Sequence, residues 1–164
     1  MPESEPVIPT LPEERIPVGI SSCLLGEDVR YDGGHKRDPY INGTLSRYFE
    51  LVPVCPEVAI GLGIPREPIR LVRARGETGV RVVGVRSPDL DVGDQLAALG
   101  RRMAEELTDI HGYLLKRGSP SCGMERVKVY TPEGNPAGAD GRGAYAAALM
   151  AARPELPVEE EGRL

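Results

Sequence analysis

Three short apolar runs set the rhythm of the first two thirds of the chain: residues 16–22, Leu51–Val54 and Gly112–Lys116. Each is too short for a core helix and each ends in polar, Gly- or Pro-rich sequence, the pattern of buried strands. Between the second and third runs, Val92, Leu96, Leu99, Met103, Leu107 and Ile110 recur at steps of three and four. That spacing predicts an amphipathic helix over Asp91–Ile110, with Asp91 as its cap. Residues 69–75 and 80–86 flank Gly76-Glu77-Thr78-Gly79 and read as a hairpin, its arginines a solvated face. Leu45, Tyr48 and Phe49 share one side of a short helix over 44–50, and Ala144–Ala152 forms another, stopped before Pro154. Val127–Tyr130 is a short strand, 131–143 is turn-rich, and 156–159 is a small terminal strand. Strands alternating with helices predict a single α/β domain with a mostly parallel sheet and a β-hairpin insertion. The acidic, proline-rich residues 1–14 read as a flexible tail before a domain over 15–164.

Composition narrows the class. The 164 residues hold no Trp, one Phe and six Tyr, so Val, Leu, Ile and Ala must build the core. A net charge of −5 argues against general nucleic-acid binding, which draws on a basic face, and leaves a local Arg pocket open. No apolar run approaches the ~20 residues of a membrane span. The N-terminus lacks the basic and apolar regions of a signal peptide, so the expected location is cytoplasmic. Oligomeric state leaves no mark in the sequence.

The candidate chemistry lies at the strand ends. The first run leads into Ser21-Ser22-Cys23, the second into Cys55-Pro56-Glu57, the third toward Ser119-Pro120-Ser121-Cys122-Gly123. In a parallel sheet these ends share one edge, which brings three cysteines from distant sequence to one crevice. Taken singly, each cysteine reads first as a small core residue. An odd number argues against a disulfide framework. Zinc sites favour local Cys-x-x-Cys pairs, absent here, although His35 or His111 could complete one. Three thiolates around one open position suit an iron–sulfur cluster with one iron unligated by protein, able to act as a Lewis acid. Other residues carry two readings each. Glu57 is a proton-transfer group or a partner for loop N–H groups. Ser119 precedes Pro120 as a turn residue or a site residue, and Ser121 on its other side reads as an ordinary turn residue. Asp32 touches substrate or braces its loop, and Arg66 reads an anionic or carbonyl group or pairs with a carboxylate.

Together these stretches carry a resemblance. Ile20-Ser21-Ser22-Cys23-Leu24-Leu25-Gly26 with Tyr31-Asp32-Gly33-Gly34, then Val54-Cys55-Pro56-Glu57 with Gly61-Leu62-Gly63-Ile64-Pro65-Arg66 and Pro68, then Ser119-Pro120-Ser121-Cys122-Gly123, resemble the thiouracil desulfidase-like family in that order. The resemblance implies a Rossmann-like domain that holds a [4Fe-4S] cluster on three cysteines with one open iron. It also implies removal of sulfur from 2-thiouracil as sulfide, without net electron transfer. Carried over by position, Cys23, Cys55 and Cys122 would be the cluster ligands, Glu57 the acid/base group and Ser119 the active-site serine. Ser22, Asp32 and Arg66 are substrate-side candidates. The expected partner is a small thiolated base or nucleoside. Two alternatives stand beside this reading: a non-catalytic iron–sulfur redox or oxygen sensor, and a Rossmann-like module that binds a nucleotide. Glu57 and Ser119 favour the enzyme, because a sensor needs thiolates but no proton shuttle.

Overall fold

The computed structural model describes residues 14–164, so the tail expected at 1–14 lies, but for Glu14, outside the described residues. In chain order the elements are β1 (Ile16–Ser21), α1 (Pro39–Gly43), β2 (Phe49–Val54), α2 (Pro56–Ala59), β3 (Ile69–Val72) and β4 (Arg81–Gly84). They continue with α3 (Gly93–Glu106), β5 (Tyr113–Leu115), β6 (Val127–Tyr130), β7 (Pro136–Gly141), α4 (Ala144–Ala152) and β8 (Val158–Glu160). The strands form two sheets of four, ordered β2-β1-β5-β8 and β4-β3-β6-β7. Every pairing in the first sheet is parallel.

The inner strands of the first sheet, β1 and β5, are buried on both faces, which is why they read as continuous apolar runs. Val18, Ile20 and Leu114 face one cluster with Leu24 and Ile41 beneath the segment after β1. Tyr113 and Leu115 face the larger cluster, built with Leu96, Leu99 and Met103 of α3 and Tyr145 and Leu149 of α4. Alternation is also what makes Gly19 a glycine: a Cβ there would run into the Tyr113 ring. Tyr113 is held in turn by a 2.8 Å hydroxyl contact with Tyr145. Helices α3 and α4 pack closely because Gly100 has no side chain; a Cβ there would sit 2.6 Å from the Tyr145 carbonyl.

Several local expectations change. The long helix spans Gly93–Glu106, and its N-cap is Val92; the Asp91 carboxylate takes only the Gly93 N–H, at 3.0 Å. The short helix expected over 44–50 gives way to α1 and a 3-10 turn at Leu45–Arg47, with β2 beginning at Phe49. The Asp38 carboxylate, accepting from Ile41 N at 3.0 Å, and Pro39 at the first helical position nucleate that earlier helix. The turn-rich 131–143 segment contains β7, an exposed strand paired antiparallel with β6. The predicted hairpin, β3 with β4, belongs to the second sheet, where β3 also pairs parallel with β6. Among the described residues no helix is long and apolar enough to cross a membrane.

Candidate metal centre

Parallel order places the carboxyl ends of β1, β2 and β5 on one edge, and a cavity of about 230 Å³ opens there. Cys23, Cys55 and Cys122 all line it, with Glu57, Ser119, Ser22 and Arg66. Cys23 lies in the 3-10 turn that follows β1, and Cys55 is the N-cap of α2. Cys122 sits in the loop after β5, cradled by the start of α4. Ala144 N donates to Pro120 O and Ala146 N to Ser121 O, both at 3.0 Å, and Gly143 N donates to Gly123 O at 2.8 Å. A side chain on Gly143 would strike the Ser121–Cys122 peptide, so only glycine lets the helix come this close.

All three thiols are free. Burial pushes each of them up from the ordinary thiol range, Cys122 furthest. Arg30 and Lys116 oppose the rise at Cys23, while a charge on Cys55 adds to it. At Cys122 the Ser21 hydroxyl opposes the rise, and charges on Glu57, Cys23 and Cys55 add to it. Mutual charge among the sulfurs thus adds to the rise that burial causes.

The donor set fits an iron–sulfur cluster. It is all soft sulfur, and the histidines that zinc would need are elsewhere. His35 is exposed, with Nδ1 accepting from Arg37 N at 3.1 Å, and His111 is exposed at the opposite end of the sheet, its N–H on Pro17 O. Among the described residues no three His, Cys, Asp or Glu side chains come close enough to share one metal ion. A polynuclear cluster takes its thiolates at different irons, so its ligands need not meet at one metal ion.

Glu57 is clamped. Arg66 Nε donates to Oε1 at 3.1 Å, and the Ser121 hydroxyl donates to Oε2 at 2.9 Å. The pair is sheltered, with side-chain exposures of 6% for Arg66 and 15% for Glu57. Arg66 also donates Nη1 to Gly63 O at 2.9 Å and Nη2 to Val29 O at 2.8 Å. Of the two roles open for Arg66 in the sequence, the structure has it paired with a carboxylate. Ser119 Oγ accepts from Ser121 N at 3.1 Å and Cys122 N at 3.0 Å. Its two lone pairs are occupied and its O–H remains to donate. Ser22 is buried at the cavity wall. Asp32 is the exception: it is exposed, does not line the cavity, and accepts from Gly34 N at 2.9 Å, a brace for its own turn.

Two serines escaped sequence reasoning. Ser21, adjacent to Ser22, accepts from Lys116 N at 3.0 Å and so ties the end of β1 to the end of β5. Ser121 is fully buried behind Glu57. In the sequence each is the less conspicuous of two neighbouring serines, and spacing alone does not say which faces the cavity.

A model of the 2-thiouracil desulfurase family matches residues 18–161. The chain is 36% identical to a solved structure of a [4Fe-4S]-dependent thiouracil desulfidase, TudS, with a TM-score of 0.61 and 93% of each chain covered. It is also 31% identical over 109 residues to the uncharacterized protein YbbK of Bacillus subtilis (strain 168), covering 63% of this chain and 71% of YbbK.

Proposed function

The chain belongs to the 2-thiouracil desulfurase family, and from that membership we propose that it is an iron–sulfur-dependent desulfidase acting on a thiolated pyrimidine or a related small thiocarbonyl compound. The observation that carries the reading is the meeting of three thiols and one clamped carboxylate on a single cavity. Cys23, Cys55 and Cys122 would hold a [4Fe-4S] cluster, leaving one iron without a protein ligand. When bound, the cluster supplies a Lewis-acidic iron with affinity for sulfur.

The reaction exchanges C=S for C=O: water adds its oxygen to the carbon, the C–S bond breaks, and sulfur leaves as hydrogen sulfide. No net electron moves. Two protons must travel from water to sulfur, and we assign Glu57 to carry them. Each Glu57 oxygen has one donor, so a lone pair on each remains for the cavity side. Ser119, its lone pairs taken, acts as a donor to a ring or exocyclic acceptor of the substrate. Ser22 shapes the buried wall beside Cys23, and Arg66 acts by holding Glu57. A thiolated free base or nucleoside is the expected substrate. The Glu57 clamp favours this reading over a redox sensor, which has no need of a fixed carboxylate.

Anaerobic reconstitution followed by a sulfide-release assay tests the proposal. The expected protein is brown, carries about four irons and four sulfides per chain, and releases sulfide from 2-thiouracil. A colourless, iron-free product removes the cofactor. A loaded protein inert toward a panel of thiolated bases and nucleosides removes the activity.

A further inference from the structure

One polar side chain at the site faces away from the cavity. Ser121 is fully buried and does not line the cavity wall. A serine in a turn ordinarily bonds the nearby backbone, as Ser119 does. Ser121 instead reaches from the Cys122 loop to Glu57 at the start of α2, 64 residues away in sequence. Its own backbone is immobilised. Its N–H is held by Ser119 Oγ at 3.1 Å and its carbonyl by Ala146 N at 3.0 Å, with Gly143 packed against the peptide that follows. Arg66 holds the other Glu57 oxygen, so the carboxylate cannot rotate about its terminal bond without losing a donor.

We propose that Ser121 is a positioning residue for the desulfurisation, fixing the Glu57 carboxylate relative to its own neighbour Cys122. It does not touch substrate. The fixed distance it imposes runs between the group that carries protons and one of the sulfurs that bound the reaction space. The inference rests on the reading of Glu57 as the proton carrier.

Ser121→Ala and Ser121→Thr, prepared with the cluster loaded and assayed on 2-thiouracil, provide the test. Loss of fixed geometry at a reacting group lowers rates by up to about a hundredfold. Ser121→Ala is therefore expected to lower kcat roughly 10- to 100-fold and to leave KM within about threefold. Iron and sulfide content should match the parent, and Ser121→Thr, which keeps the hydroxyl, should recover most of kcat. A parental kcat in Ser121→Ala overturns the inference, as does an equal loss in Ser121→Thr. Glu57→Gln separates this from the underlying reading: if it turns over like the parent, Glu57 is not the proton carrier. If Glu57→Gln is inactive and Ser121→Ala is unimpaired, only the positioning role falls. Should Ser121→Ala fail to load a cluster, urea unfolding of the iron-free protein decides. Ser121→Ala should lower the folding constant at least about fivefold more in the parent than in Glu57→Ala, as a charge-assisted hydrogen bond requires. Additive effects overturn the inference.

Discussion

Replacing Arg66 with alanine is the most direct probe of the clamp. The substitution removes three donors at once: Nε from Glu57, Nη1 from Gly63 O and Nη2 from Val29 O. Breaking a buried ion pair by deleting one partner costs roughly 3–5 kcal/mol, because the surviving charge is stranded. Glu57 is 15% exposed and borders a cavity that water can enter, so the lower figure, about 3 kcal/mol, applies to the charge. Each carbonyl then loses a net hydrogen bond worth about 0.5–1.5 kcal/mol, less where water replaces it. The expected loss is about 4 kcal/mol, a large share of a typical stability of roughly 5–15 kcal/mol. With a urea slope of about 2 kcal/mol per molar for a chain of this size, the unfolding midpoint should fall by about 2 M. The assay is urea unfolding of the reduced, iron-free protein, followed by circular dichroism. Adding Glu57→Gln to Arg66→Ala should restore part of the loss, since the stranded charge is then gone. A midpoint within about 0.5 M of the parent, or no recovery in the double variant, would refute the argument that this pair is a stabilising clamp.

Other outcomes follow from the same contacts. Glu57→Gln should keep full iron and sulfide content while sulfide release falls about 10²- to 10⁴-fold, the usual weight of general acid–base catalysis; kinetics and iron analysis read both. Alanine at Cys23, Cys55 or Cys122 should each abolish the stable cluster, seen as loss of the brown absorbance and of protein-bound iron. Gly19→Ala forces a methyl into the Tyr113 ring, which is pinned by Tyr145. Overpacking of about 1–3 kcal/mol should lower the melting temperature of the iron-free protein by roughly 3–10 °C. Burial raises the hydroxyl pKa of both Tyr113 and Tyr145 above the ordinary phenol range. The stability they contribute is complete below the unfolded phenol pKa of about 10 and declines as pH rises beyond it, because only the unfolded chain ionises there. Unfolding between pH 9 and 11.5 should show that decline, and Tyr145→Phe should make it shallower.

The order of elements and the meeting of the three cysteines were legible in the chain because both rest on local or repeating chemistry. Strands buried on two faces announce themselves as apolar runs, and the α3 stripe from Val92 to Met103 is buried as its spacing required. Cysteines that follow strands of one parallel sheet must share an edge, so their convergence on one cavity followed from topology. Where local signals competed, the reading slipped. Asp38 and Pro39 captured the helix start that the apolar positions after Thr44 suggested, and β7, with no apolar side to bury, exists only through its ladder with β6. Roles of individual polar residues were beyond the chain's reach, since a side chain's partner depends on what the fold brings opposite it. Only the tertiary structure decided that Arg66 holds Glu57, that Asp32 serves its own turn, and that Ser119 has just a proton left to offer. It also decided which of two nearby serines turns inward. Ser121 meets Glu57 across 64 residues of sequence, a pairing that no local pattern encodes.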